Sequence, residues 1–461
     1  MGGLATPATS SETSASSVDA SEYKNPPQYY YLSPNAVKRL SNYQYNGEDQ
    51  SLLYKHVLSP LAGWCVDHLT PTWLAPNTIT SIGLCWMISS YCIIWYFCPG
   101  LYEANTDMNS EYAVPSAIFL LNGWAMLIYQ TLDNMDGKQA RKTGSSSPLG
   151  LLFDHGCDAL NSIFGSANWI AAMGLLPGSV NVLLGGEMGG ANVQHKSYLS
   201  ELLGGDAMIA TFIILSPMLA FYISTWEQYF TGKLVLPPMN GPNEGLVMGA
   251  SLSFVSFFYG PMFWQQTTWT DCAIAFLEDK GILILSAMEG RVRNLDIVVI
   301  ASILALVQEL LGKVPFVIRS YGKEALRTLL PHVVFLISTT LIVMIDSTIF
   351  FRIPRTMCHL ISGLFAEHTT QLMLDHMVEE RFASFRWVML PQVVLAATMA
   401  AGTAAGMAVS TDFVDTFFIN YNAVLWVYLA VKFYAYVTEI CDVLGIWCFD
   451  IVTPHPKSKR D

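Results

Sequence analysis

Apolar runs of about twenty residues recur along almost the whole chain, and no other feature restricts its fold as much. They begin near Asn77, Tyr112, Asp154, Asp206, Glu244, Leu295, Leu329, Pro354, Val388 and Phe417. Backbone polar groups in lipid must find hydrogen-bond partners within the protein, so runs of this length predict membrane-crossing helices. The expected fold is all-α, a polytopic integral membrane bundle of about ten transmembrane helices. Charged residues make up 13% of the 461 positions, roughly half the load of a soluble domain. The 12 Trp and 21 Tyr suit interfacial belts. An even number of spans puts both ends on one side. Lys138, Arg141 and Lys142, expected in a loop between two spans, and Lys457, Lys459 and Arg460 in the C-terminal tail place that side in the cytoplasm.

The flanks read differently. Residues 1–35 begin as a Ser/Thr/Ala/Gly stretch without an apolar core, expected to be a disordered leader and not a secretory signal. Residues 36–76 mix Leu52, Leu53 and Trp64 with Lys38, Arg39 and Lys55, which predicts an interfacial amphipathic segment. A catalytic core is expected over 77–265, further transmembrane helices over 266–450 and a cytosolic tail over 451–461. A net charge of −12 argues against a nucleic-acid partner. The nine cysteines form no CxxC pairs and read as buried thiols.

Between two apolar runs lies Asp133-Asn134-Met135-Asp136-Gly137-Lys138-Gln139-Ala140-Arg141, followed by Gly150, Asp154 and Asp158. Acids this close to a bilayer are costly to dehydrate, so a group of four asks for a chemical reason. On helices, the i,i+3 pair Asp133/Asp136 and the i,i+4 pair Asp154/Asp158 would each occupy one face. Two such faces would present four carboxylates to one point, a hard oxygen cage for one or two Mg²⁺ or Mn²⁺ ions, two being the expected number. Cations of this kind mainly serve to hold phosphate. Gly137 and Ala140 keep the approach small, and Arg141 offers a planar fork to a pair of phosphate oxygens.

The spacing D-x2-D-G-x2-A-R-x8-G-x3-D-x3-D resembles the signature of the CDP-alcohol phosphotransferases, with every fixed position present. The stretch from Gly137 through Ser145-Ser146-Ser147-Pro148-Leu149-Gly150 to Phe153-Asp154-His155-Gly156-Cys157-Asp158 is similar to the eukaryotic choline and ethanolamine phosphotransferase branch. Tyr43-Gln44-Tyr45, Ala75-Pro76-Asn77 with Thr80 and Gly83, Trp226-Glu227, and Asn240-Gly241-Pro242 with Glu244-Gly245 extend the resemblance. It implies an enzyme that moves phosphocholine or phosphoethanolamine from CDP-choline or CDP-ethanolamine to the hydroxyl of diacylglycerol, releasing CMP. It implies Asp133, Asp136, Asp154 and Asp158 as metal ligands, with Asp158 also a candidate general base. Gly137, Ala140, Arg141 and Gly150 would contact the CDP-alcohol. It further implies a homodimer in the endoplasmic reticulum or Golgi membrane, with its site facing the cytosol.

Three residues carry weaker readings. Asn77 opens a helix and either contacts the CDP moiety or simply caps that helix. His155 is either catalytic or a local hydrogen-bonding residue. Glu244 is either part of a proton relay or a helix-terminal charge favoured by the dipole. Two other functions stay open: a related phosphotransferase with a different donor or acceptor, such as the phosphatidylinositol synthase type, and a transporter using the acids as a cation site. The second fits poorly, because the acids gather at one membrane face and no inverted repeat is evident.

Overall fold

The computed structural model describes residues 29–103, 114–175, 197–280 and 288–459. The first 28 residues of the expected leader, Tyr112 and Arg460 lie outside them. The described chain is mostly helical. Its elements are α1 (Pro34–Leu40), β1 (Gly47–Asp49), α2 (Ser59–His68), α3 (Pro76–Phe97), α4 (Ala117–Thr143), α5 (Pro148–Ala172), α6 (Tyr198–Leu203), α7 (Asp206–Thr231), β2 (Leu234–Leu236), α8 (Leu246–Tyr259), α9 (Thr268–Asp279), α10 (Asn294–Ile345), α11 (Ile349–Arg352), α12 (Pro354–Met377), α13 (Leu390–Ala404) and α14 (Thr411–Leu444).

Five helical segments are long and apolar enough to cross a membrane by length and composition: Pro76–Phe97, Asp206–Thr231, Asn294–Ile345, Trp387–Ala404 and Thr411–Leu444. The expected starts near Leu295 and Leu329 fall on the two halves of α10, which meet at a kink. Gly322 breaks that helix, with φ 57° and ψ −126°, a backbone state that glycine enters without a Cβ clash. α4, α5, α8 and α12 occupy other expected runs but do not meet the same criteria. α4 and α5 carry the acids and bases of the motif, which lower their apolarity.

The segment over 36–76 is not one amphipathic helix. The chain leaves α1 through Asn42 and pairs β1 in parallel with β2, Asp49 standing opposite Leu236. The α1 region is tied to the protein: the Glu439 carboxylate accepts from the backbone N–H groups of Tyr30, Tyr31 and Leu32. Tyr29 donates to Asp442 at 2.6 Å. Exposed Val57, Leu61 and Trp64, spaced i, i+4, i+7, keep an apolar stripe only around α2.

Packing follows from small residues and caps. α3 lies along α4, α4 along α8, α5 along α12 and α7 along α10. Gly83 lets α3 come so close that a Cβ there would lie 3.3 Å from the Tyr129 ring and 3.4 Å from Leu132 Cβ. α4 runs unbroken through Asp133, Asp136 and the basic residues expected in a loop, and stops at Gly144 with φ 67°. Ser147 caps α5, accepting from Gly150 N–H, with Pro148 in the first turn, where its missing N–H costs nothing. A four-residue connection between α4 and α5 therefore returns the chain as a helical hairpin. The pairings Asn122–Asn168, with a 2.8 Å hydrogen bond, and Met126–Gly165, where a Cβ would lie 3.9 Å from Met126 Cε, fix its register.

Candidate active site

The hairpin register brings Asp133 of α4 opposite Asp158 of α5. Oxygen atoms of Asp133, Asp154 and Asp158 all lie within 4.8 Å of one another. Mutual repulsion at that distance calls for a counter-charge. One oxygen of Asp133 and one of Asp154 are buried without a hydrogen-bond partner. A hard, all-oxygen donor set with unclaimed buried lone pairs suits Mg²⁺ or Mn²⁺. Asp136, also buried, stands outside this trio, and its carboxylate accepts from the Thr80 hydroxyl of α3. Tyr129, fully buried one turn before Asp133, donates to Asp158 at 2.7 Å.

Of the other predicted residues, Arg141 and Gly137 come together. A Cβ on Gly137 would meet only the Arg141 guanidinium nitrogens, at 3.5 and 3.9 Å, and Arg141 is itself exposed. Ala140 lies one residue before it, partly exposed, with its carbonyl accepting from Gly144 and Ser145 at the helix end. A Cβ on Gly150 would lie 3.8 Å from Asn77 Oδ1, so Asn77 sits over the start of α5. Asn77 is not the cap of α3; Ala75 occupies that position. Its amide nitrogen donates to the Cys448 carbonyl at 2.9 Å. The hydrogen bond between Cys448 and the Cys441 thiol lowers the Cys448 thiol below its ordinary range. Phe449 packs edge-on against Phe153, beside Asp154. The residues after α14 thus form one wall of the site.

His155 is buried, with Nδ1 3.5 Å from Asp154 and its ring against Phe221 of α7. Glu244 is drawn elsewhere. Its carboxylate accepts from the buried Ser51 hydroxyl and from the Asn240 N–H at 2.9 Å. Asp49 completes this knot, accepting from Ser51 N–H at 2.8 Å and Asn243 Nδ2 at 2.6 Å. Burial pushes the Asp49 carboxyl above the usual carboxylate range, against the pull of those hydrogen bonds. The Glu244 turn is also fastened to α4, because Gln130 Nε2 donates to the carbonyls of Pro242 and Asn243 at 3.0 and 2.9 Å.

Thr80, Tyr129, Cys448 and Phe449 had no assigned role in the sequence reading. Tyr129 was accessible to it: it stands four residues before Asp133, on the same helical face. The Cys448–Asn77 contact spans 371 positions, which no local pattern encodes.

Comparison with known proteins agrees with the geometry. Residues 73–234 match the CDP-alcohol phosphatidyltransferase family, a range that takes in α3 to α7 and ends at the first residue of β2. The chain carries a CDP-alcohol phosphatidyltransferase domain. It is 28% identical over 442 residues to a class-I family protein of Dictyostelium discoideum, covering 92% of this chain and 99% of that one. It is 34% identical over 240 residues to choline/ethanolaminephosphotransferase 1 of Arabidopsis thaliana, and 30% identical over 241 residues to choline/ethanolaminephosphotransferase 1 of Saccharomyces cerevisiae. The Arabidopsis alignment spans 51% of this chain and 50% of its relative; the yeast alignment spans 52% and 50%.

Proposed function

We propose that the chain transfers phosphocholine, phosphoethanolamine or both from the CDP-aminoalcohol to the hydroxyl of diacylglycerol, yielding phosphatidylcholine or phosphatidylethanolamine and CMP. The observation that carries this reading is the trio Asp133, Asp154 and Asp158, with unclaimed buried oxygens, on a hairpin whose open face also holds Gly137 and Arg141. Asp133, Asp154 and Asp158 would hold Mg²⁺ or Mn²⁺, with Asp136 adjoining; such ions offset phosphate charge during transfer. Arg141 grips donor phosphate oxygens through its fork, and the bare Gly137 lets the pyrophosphate reach the helix surface. Asn77, held by Cys448, lines the side on which the nucleotide lies.

Asp158, kept in place by Tyr129, is the residue we assign to take the proton of the acceptor hydroxyl. His155 supports Asp154 from behind. Glu244 serves the site indirectly, by fixing the turn that Gln130 holds. The expected ten-helix topology, with the site facing the cytosol in an endoplasmic reticulum or Golgi membrane, belongs to the same proposal. So does assembly as a homodimer, which rests on the family resemblance. The test is release of labelled CMP by purified protein in nanodiscs, with diacylglycerol and Mg²⁺ or Mn²⁺. CDP-choline, CDP-ethanolamine and an inositol-free CDP-diacylglycerol control would be supplied separately. Product from an aminoalcohol donor supports the proposal; a folded protein that uses neither refutes it.

A further inference from the structure

The α4–α5 hairpin can be read as a ladder. Asp133 neighbours Asp158, Met126 neighbours Gly165 and Asn122 neighbours Asn168. Continued in the same register, the positions between the carboxylates and the Met126–Gly165 contact are Gln130 on α4 and Asn161 on α5. Each lies three residues from an acid of the trio, about 4.5 Å farther along its helix at 1.5 Å per residue. The direction is away from Arg141 and toward the apolar half of the hairpin, which a membrane-resident alcohol would enter first.

Both side chains are more than nine-tenths buried, at 1% exposure for Gln130 and 6% for Asn161. Both amide oxygens are without a hydrogen-bond partner. For Gln130 the orientation is not interchangeable. Its nitrogen faces two backbone carbonyls, of Pro242 and Asn243, which accept and cannot donate. Its oxygen must therefore face the other way, toward a group that donates. A buried acceptor left unmatched is costly, and two on one rung next to a reaction centre mark a place for a donor.

We infer that Gln130 and Asn161 form the subsite that receives the hydroxyl of the lipid acceptor. On entry one of the two amide oxygens accepts the hydroxyl hydrogen; turning about the C–O bond then hands that hydrogen to Asp158, with the alcohol oxygen kept on the bilayer side of the carboxylate. The inference rests on the proposed acceptor chemistry and adds to it the residues that distinguish a lipid alcohol from a lipid without a hydroxyl. Donor binding, at Arg141 and Gly137, does not involve this rung.

The experiment uses the full chain in nanodiscs and two readouts. The first varies the diacylglycerol mole fraction at saturating CDP-aminoalcohol. Asn161→Leu is expected to raise the acceptor KM roughly tenfold while leaving the donor KM and the half-saturating metal concentration within twofold. Asn161→Ser, which keeps an oxygen there, is expected to recover most of the loss. Gln130→Met repeats the test on the other helix. The second readout needs no turnover. A fluorescent diacylglycerol is displaced either by unlabelled diacylglycerol or by its 3-deoxy analogue, without donor. The wild type should prefer the hydroxylated competitor, and Asn161→Leu should lose that preference. If the wild type transfers but the variant keeps both its acceptor KM and its preference, the subsite is wrong. If the hydroxyl preference exists and is lost in the variant while no aminoalcohol is transferred, the subsite stands and the headgroup assignment falls.

Discussion

Removing one hydroxyl, Tyr129→Phe, isolates how much of the site's activity depends on the orientation of one carboxylate. The Tyr129 ring is clamped where α3 meets α4: Gly83 approaches to within 3.3 Å of ring contact for a Cβ that it lacks. Phenylalanine keeps that packing, so the fold should be retained. What is lost is the 2.7 Å hydrogen bond to Asp158 Oδ1. A buried hydrogen bond to a charged group contributes about 1.5–3 kcal/mol. At about 1.4 kcal/mol per decade that corresponds to roughly 10- to 150-fold. Outer partners of metal-holding carboxylates typically change affinity by roughly 10- to 100-fold, so two independent scales agree. The assay is a Mn²⁺ titration followed by turnover and, separately, by the EPR signal of free Mn²⁺. We expect weaker Mn²⁺ binding, lower kcat and an unchanged melting temperature. Gly83→Ala should act in the same direction by pushing the ring, with a smaller effect. Mn²⁺ affinity and kcat both within twofold of wild type would show that Tyr129 does not orient Asp158.

Other consequences can be checked in parallel. Asn77→Ala removes the amide that joins the start of α5 to Cys448; it should raise the KM for the CDP donor about fivefold, for a loss near 1 kcal/mol, and leave the acceptor KM alone. Gly249→Ala places a Cβ 2.1 Å from Trp169 Cζ2, and overpacking of this kind costs about 1–3 kcal/mol, visible as a lower melting temperature. Glu367→Gln strands Lys432 and Arg386, both bound to that buried carboxylate; breaking such a pair costs about 3–5 kcal/mol, and the variant should lose folded yield in detergent.

The acid cluster was legible because it is local. Asp133, Asp154 and Asp158 are encoded by helical spacing on two consecutive helices, and Gly144 and Ser147-Pro148 announce the hairpin that joins them. α4 continues through Lys138, Arg141 and Lys142, where a loop is expected, since all three are good helix formers. The region over 36–76 was harder. Its mixture of Leu52, Trp64 and Lys55 fits an interfacial segment, but β1 pairs with β2 and the Ser51 hydroxyl bonds Glu244, both about two hundred positions away. The apolar runs beginning near Leu295 and Leu329 anticipate the two halves of α10 on either side of Gly322, but no local pattern shows that Cys448 reaches Asn77. Contacts of that range are settled by packing, which the sequence leaves implicit.

The most direct test of the central claim combines metal removal with single-oxygen changes in the trio. Purified wild type, Asp133→Asn and Asp158→Asn would each be given CDP-choline or CDP-ethanolamine with diacylglycerol, before and after chelation. The account predicts phospholipid and CMP in equal amounts from the wild type, lost on chelation and restored by Mg²⁺ or Mn²⁺. Both variants should stay folded and inactive under all conditions. Transfer that survives chelation, or that persists in either folded variant, would contradict the assignment of Asp133, Asp154 and Asp158 as the reaction centre.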